Sequence, residues 1–198
     1  MKSCILKASP HKNGNTNKIT DCYIEELENH GVSCSIFNLY DMNIKPCLGC
    51  RKCQDVYEVA SCIQKDDMEK IYDEVLKSDL IVFSTPIYSW YATAPLKAVT
   101  DRMVYGLCKY YGKEKKTSLI NGKNLALITT CGYPPKKGAD LFEEGMKRYC
   151  RHTGMNYVAM LAERHLGYDT VFMDEEKAKR AKDFAVDTIN FMEKQRKV

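Results

Sequence analysis

Four cysteines crowd into sixteen residues of the segment PCLGCRKCQDVYEVASC: Cys47, Cys50 and Cys53 at C-x2-C-x2-C spacing, then Cys62 after eight further residues. Such spacing puts three sulfurs within reach of one centre, and the fourth joins them if the intervening loop folds back. Four thiolates are the usual ligands of a 4Fe–4S cluster and also suit tetrahedral zinc; without a metal the same residues are redox-labile thiols. Lys45, Arg51 and Lys52 are near in sequence and favour the thiolate form. The other six cysteines, Cys4, Cys22, Cys34, Cys108, Cys131 and Cys150, stand alone, mostly inside apolar or helical patterns where cysteine packs as a small hydrophobe.

A second chemical signal is the polar loop SPHKNGNTNKI, which starts at Ser9. It has neither the GxGxxG nor the GxxxxGK[ST] spacing of the common nucleotide loops. It offers instead the side chains of Ser9, Asn13, Asn15 and Thr16, a flexible Gly14 and the backbone N–H groups of a helix start. A phosphate monoester fits there, with His11 or Lys12 to offset its charge. The same residue types also make a plain helix N-cap, which is the alternative. Further on, PIYSWYAT leaves Ile87, Tyr88, Trp90 and Tyr91 on a surface loop, and such a patch calls for a ligand or a subunit contact. Gly132 follows the run NLALITTC and would let a ligand approach the backbone closely; Cys131 beside it reads as a pocket-lining residue or a redox thiol. His11, His30, His152 and His165 show neither H-x3-H nor HExxH spacing, and no Ser/His/Asp or paired-carboxylate arrangement stands out.

These residues need elements to hold them. KSCILKA reads as a first strand, and the helical pattern Ile19, Cys22, Tyr23, Leu27 runs from Asn15 to a stop at Asn29, His30 and Gly31. VSCSIFNL alternates as a second strand, and the cysteine-rich loop spans 45–65. Asp66 and Asp67 open a helix carrying Met68, Ile71, Tyr72, Val75 and Leu76. Leu80 to Thr85 is an apolar run stopped by Pro86, as a strand buried on both faces requires. A helix from Pro95 to about Cys108, a charged loop KYYGKEKKTSLING, a strand NLALITT, a turn YPPKKG, a helix DLFEEGMKRYCRHTG, a strand MNYVAMLA and a helix from Glu175 to about Lys194 complete the chain. Five strands alternating with five helices imply one α/β domain over 1–198, with a doubly wound parallel sheet and ligands at the carboxyl ends of its strands. The loops after the first, third and fourth strands are then the ones that matter.

Composition narrows the setting. The chain has 198 residues, 44% of them hydrophobic, enough for a real core. Its longest apolar stretches are a few residues long, so no membrane partner is expected. With Lys2 and Lys7 close together, the first residues carry no secretory apolar core, and we expect a reduced, cytoplasmic protein. A net charge of +4 is too mild to call for nucleic acid. The charge runs KEKK and KQRK read as solvated surface, although the first could edge a substrate cleft.

Three motifs together resemble a known family. ASPHKNGNT is similar to the phosphate loop SPRxxGNT of the flavodoxin-like NAD(P)H-dependent FMN reductases; TPIYSWYATAPLKAVTDR resembles their TPIYW…PLKxxxDR segment; and TTCGYP resembles their third flavin-side loop. The family usually has arginine where His11 stands. The resemblance implies a five-stranded flavodoxin-like sheet of order 2-1-3-4-5 with helices on both faces. It implies FMN held by Ser9, His11, Lys12, Asn13, Gly14, Asn15, Thr16, Thr85, Pro86, Ile87, Tyr88, Ser89, Trp90, Thr130, Cys131 and Gly132. It also implies NAD(P)H as co-substrate, a small-molecule acceptor and a homodimer or homotetramer. The segment IKPCLGCRKC…SCIQKDDM resembles the compact cysteine motif of the iron–sulfur flavoproteins, a branch of the same superfamily, with a longer last gap here; that implies Cys47, Cys50, Cys53 and Cys62 as ligands of a 4Fe–4S cluster next to FMN.

Three functions follow as expectations. The first is an FMN-dependent NAD(P)H oxidoreductase that passes electrons to a quinone, a nitro or azo compound, or free flavin. The second is an iron–sulfur flavoprotein electron carrier. The third is a flavin-free module with a zinc-bound cysteine loop and an aromatic docking loop.

Overall fold

The computed structural model describes residues 1–114, 116–167 and 169–196; Lys115 of the charged loop and Lys197 of the basic tail lie outside them. The elements are β1 (Lys2–Lys7), α1 (Asn15–Asn29), β2 (Ser33–Asn38), α2 (Met68–Lys77), β3 (Leu80–Pro86), α3 (Ala94–Leu107), β4 (Asn124–Cys131), α4 (Pro135–Gly138), α5 (Asp140–Thr153), β5 (Asn156–Arg164) and α6 (Glu175–Arg196). The five strands are all parallel in the order β2-β1-β3-β4-β5, as the β-α alternation and the family resemblance lead one to expect. The order reverses at β1, so the crevice at its carboxyl end is a topological switch point.

One helix was not anticipated. YPPKKG reads as a turn, yet Gly138 and Ala139 close helical hydrogen bonds onto the carbonyls of Pro134 and Pro135, giving the single turn α4. Proline suits a first helical turn because its φ is preset, and one turn is too short to show a hydrophobic period.

Alternation along the central strands feeds two cores. Cys4, Leu6, Ile81, Phe83, Leu125 and Leu127 face α2, α3 and α5; Ile5, Leu80, Val82, Ala126 and Ile128 face α1 and α6. All of these are fully buried, so β1, β3 and β4 are covered on both sides and their unbroken apolar runs are explained. On the first face α2 and α3 approach closely: a Cβ on Gly106 would lie 2.4 Å from the Tyr72 hydroxyl, which donates to the Arg102 carbonyl (2.9 Å).

The loop at 45–65 has little regular structure apart from a 3-10 turn at Lys52–Asp55. Side chains fasten it. The Gln54 amide donates to the carbonyls of Tyr105 (2.5 Å) and Cys108 (2.9 Å) and accepts from the Tyr111 N–H (3.1 Å). The fully buried Lys109 donates to the Cys53 carbonyl (3.0 Å). The loop is therefore anchored to α3 and the segment after it.

Candidate functional site

The carboxyl ends of β1, β3, β4 and β5 surround a cavity of about 640 Å³, within the range of a small-ligand or cofactor site. Ser9, His11, Gly14, Asn15, Thr16, Pro86, Ile87, Tyr88, Thr130, Cys131 and Gly132 all line it, so three loops far apart in sequence meet at one place. Hydrogen bonds lock them together. Thr16 and Thr130 share one through their hydroxyls (2.7 Å), the Ile87 N–H donates to the Thr130 carbonyl (2.8 Å), and Thr93 donates to the Ala8 carbonyl (2.8 Å).

The first loop is shaped for an anion. Gly14 is the N-cap of α1 and has no side chain with which to cap it, so the N–H groups of the first turn point outward without an intrahelical acceptor. That favours a ligand over a plain cap. Asn17 holds the loop by donating to the carbonyls of His11 (3.1 Å) and Lys12 (2.9 Å), and a Cβ on Gly14 would stand 2.8 Å from the His11 Cβ. Lys12 points elsewhere, pairing with Asp41 at 2.8 Å, and Asn13 is exposed outside the lining. Lys18, one helical turn further on, lines the cavity instead.

Other expected residues take supporting places. Thr85 is buried behind the wall, accepting from the Thr93 N–H (3.2 Å) and donating to the Pro86 carbonyl (2.9 Å). Ser89 and Trp90 line an adjoining hollow of about 150 Å³ shared with Ile87, Cys131 and Gly132. Both have left-handed backbones (φ 50° and 65°), in a turn closed by paired N–H to carbonyl bonds between Tyr88 and Tyr91 (2.9 and 3.0 Å). Two non-glycine residues there represent local strain, the kind found beside working sites. Trp90 stacks on Tyr133 (centroids 6.1 Å apart, planes at 14°) and donates to the Lys137 carbonyl (3.2 Å), so α4 props up this aromatic wall. Burial pushes the Cys131 thiol up in pKa, with Arg164 opposing, and Cys131 donates to the Tyr133 carbonyl (3.2 Å); it serves here as a lining thiol.

Sequence reasoning missed a fourth wall. His165, Thr170, Val171, Phe172 and Met173, after β5, also line the cavity, and the His165 N–H donates to the Cys131 carbonyl (2.8 Å). The rule that ligands gather at strand carboxyl ends covers β5 as well as β4, and that signal was available.

The four clustered cysteines meet elsewhere. Cys47, Cys50, Cys53 and Cys62 line one small void of about 20 Å³ between the loop, α2 and α3, together with Tyr72, Arg102 and Tyr105. Among the described residues no three His, Cys, Asp or Glu side chains are gathered tightly enough to hold a metal ion. Burial raises the pKa of the Cys53 thiol, while Lys109 pulls it down; Cys53 donates to the Tyr105 carbonyl (3.0 Å). Arg102 and Asp66 form an ion pair at 2.6 Å with side chains 1% and 0% exposed, and the Cys62 thiol is a second side-chain hydrogen-bond partner of the guanidinium. Four thiols beside a buried guanidinium match an anionic, sulfur-rich group in residue type. A void of this size would have to widen to admit one.

Comparison with known proteins agrees with this architecture. An iron-sulfur flavoprotein of Archaeoglobus fulgidus is 36% identical over 107 residues, 54% of this chain and 47% of that protein. The chain thus spans about half the length of that curated relative. The solved structure of an NAD(P)H:quinone oxidoreductase from Methanothermobacter marburgensis superposes with a TM-score of 0.74 at 18% identity, covering 93% of this chain and 94% of the other. An FMN-dependent NADH-azoreductase from Bacillus anthracis, solved with FMN, gives 0.68 at 14% identity, covering 94% and 98%. A family model described as a flavodoxin-like fold matches residues 1–186. Sheet order, the crevice at the switch point and a match over nearly the whole length agree: the chain belongs to the flavodoxin-like fold family.

Proposed function

We propose that this protein is an FMN-dependent NAD(P)H oxidoreductase that passes electrons to a small acceptor such as a quinone, a nitro or azo compound, or free flavin. One observation carries the reading: a cavity of about 640 Å³ in which an uncapped helix N-terminus, hydroxyl side chains and an apolar wall converge at the switch point of the sheet. When bound, FMN supplies hydride acceptance and electron donation. The chain's part is to place it. The first turn of α1, with Ser9, His11 and Lys18, takes the phosphate; Pro86, Ile87 and Tyr88 on one side and Cys131 and Gly132 on the other flank a flat ring. Phe172 and Met173 line the same cavity from the β5 side. A nicotinamide and an acceptor would use the same opening in turn, so ping-pong kinetics follow. The exposed Tyr88, Trp90, Tyr91 and Tyr133 beside it make a contact surface for a second copy of the chain, in a homodimer or homotetramer.

The test is direct. Purified protein should be yellow, release FMN on denaturation, and oxidise NADH or NADPH when supplied with acceptors from several classes. Bound FMN with no oxidation of either nicotinamide would defeat the reductase reading, and a colourless protein that fails to take up added FMN would defeat both flavin readings. No membrane partner enters the proposal: among the described residues no helix is long and apolar enough to cross a membrane.

A second reading has its own observation. All four clustered cysteines face one void lined by a buried guanidinium, which supports an iron–sulfur flavoprotein electron carrier with a 4Fe–4S cluster on Cys47, Cys50, Cys53 and Cys62. Iron and sulfide analysis with a visible spectrum, on protein purified without oxygen, separates the two; flavin bands with iron near zero would reject the cluster.

A further inference from the structure

We propose that Arg164 binds a phosphate group of the nicotinamide dinucleotide at the rim of the large cavity. The inference rests on the reductase reading above and adds to it the side chain that receives the charged half of the reductant.

The end of β5 uses its two charges differently. Glu163 is buried and taken by Arg180 of α6, which donates to both carboxylate oxygens (2.7 and 3.0 Å). Arg164, the next residue, is exposed and pairs with no carboxylate among the described residues. Its Nε donates to the Gly132 carbonyl (3.1 Å), and its charge acts on the Cys131 thiol. The His165 N–H donates to the Cys131 carbonyl (2.8 Å), which continues β5 alongside β4 and fixes where the arginine leaves the strand. Cys131 and Gly132 line both the large cavity and the adjoining hollow, so the guanidinium is tied to the wall of each from outside. Anchoring through Nε leaves the four N–H groups of Nη1 and Nη2 for a ligand.

The chemistry of the reductant says which ligand. A nicotinamide dinucleotide needs only its nicotinamide ring inside the cavity, while its pyrophosphate and adenosine end stay at the rim. The cation that serves them should therefore be exposed, fixed to the wall and absent from the lining, and Arg164 has all three properties. A planar guanidinium suits phosphate oxygens because it can donate two parallel bonds. The other rim cations face a different anion: His11 and Lys18 line the cavity at the first turn of α1, the place assigned to the FMN phosphate. Charge on the Arg164 flank is in surplus. Lys136 and Lys137 of α4, a few residues after Gly132, are exposed and in no ion pair among the described residues, and the Trp90 indole holds their turn through the Lys137 carbonyl (3.2 Å). Uncompensated positive charge beside a cleft raises the local concentration of an anionic substrate.

The experiment titrates FMN-loaded protein with NADP⁺ and NAD⁺ by calorimetry, and measures the KM for NADPH and NADH, for wild type, Arg164→Gln and Arg164→Lys. Thermal melts and FMN content verify folding. Glutamine places an amide nitrogen where Nε stands, so the bond to the Gly132 carbonyl can persist while the charged fork is lost. Arg164→Gln should bind NADP⁺ about tenfold more weakly and raise the KM for NADPH in proportion, as the loss of a charge-assisted hydrogen bond predicts. NAD⁺ and NADH unaffected in the same variant would identify the 2′-phosphate as the partner; an equal loss for both nucleotides would identify the pyrophosphate. Arg164→Lys, keeping the charge without the fork, should fall between. Unchanged values for both nucleotides in Arg164→Gln overturn the proposal and leave the reductase reading standing. Wild-type protein that holds FMN yet neither binds nor oxidises either nucleotide defeats the reductase reading and this inference with it. A tenfold loss of FMN affinity that spares riboflavin would put Arg164 on the cofactor's phosphate and overturn the proposal as well.

Discussion

The two pockets are built in opposite ways. The larger one stands on four strand ends, and its walls are backbone loops of a buried parallel sheet tied together by short hydrogen bonds such as Thr16 to Thr130 and Ile87 to Thr130. The cysteine pocket stands on a long irregular loop, with almost no backbone pairing of its own, fastened to helices by buried polar side chains. The first should keep its shape empty or filled. The second should depend on a few polar contacts and on whatever its sulfurs bind.

The largest effect should come from breaking the ion pair under the cysteine pocket. Asp66→Ala leaves Arg102 buried and uncompensated, and such a loss costs about 3–5 kcal/mol. Burial disfavours the Asp66 carboxylate, but the Arg102 guanidinium and the N–H groups of Lys45 and Met68 outweigh it, and its pKa lies below the ordinary value. A carboxyl with a depressed native pKa contributes stability above its unfolded pKa of about 4 and loses it as pH falls through the native value. Urea melts should therefore show the gap between wild type and Asp66→Ala closing below about pH 4. A gap that stays constant with pH would mean that the pair carries no such linkage.

Next comes the loop's own fastening. Gln54→Ala removes three hydrogen bonds of a buried side chain, at about 1 kcal/mol each, and should lower stability by about 2–3 kcal/mol while exposing the cysteine loop to protease. FMN affinity should be unchanged, because none of these partners lines the larger cavity. If FMN binding fell with it, the two pockets would be coupled and the contrast between them wrong.

That contrast also explains what the sequence revealed. The sheet was legible because runs such as Leu80 to Thr85 are apolar throughout, which only a strand covered on both faces needs. The switch-point loops were legible because they must follow strands. The 3-10 turn at Lys52–Asp55, the helical turn at Pro135–Gly138 and the role of Arg102 were not, since each depends on contacts between distant residues and leaves no period in the chain. Lys12 carries a related lesson at one residue: its place in the sequence suggests it for a phosphate, while the structure shows its ammonium at the surface beside Asp41, a pairing that the sequence alone does not reveal.

On the flavin side the sharpest probe is Gly14. Its φ of −76° suits any residue, so Gly14→Ala tests space alone: the new Cβ would meet the His11 Cβ at 2.8 Å and the His11 carbonyl oxygen at 3.0 Å. The loop must shift, and FMN should bind about 10–100-fold more weakly, about 1.4–2.8 kcal/mol. Riboflavin, which lacks the phosphate, should lose far less. Equal losses for both ligands in fluorescence titrations would place the phosphate elsewhere.

The smallest effect separates the two lysines. Lys18 borders the cavity one turn into α1, where an exposed cation near a phosphate contributes about 1 kcal/mol or less, whereas Lys12 is engaged with Asp41. Lys18→Ala should weaken FMN binding about threefold to fivefold at low ionic strength and leave riboflavin binding alone. The difference should shrink as salt rises, because the Debye length falls to about 8 Å at 0.15 M. Lys12→Ala should change little at any salt. If Lys12→Ala proved the more damaging, the ion pair with Asp41 would have to open when FMN binds, and the loop would be a moving part and not the fixed cradle that the strand-end architecture implies.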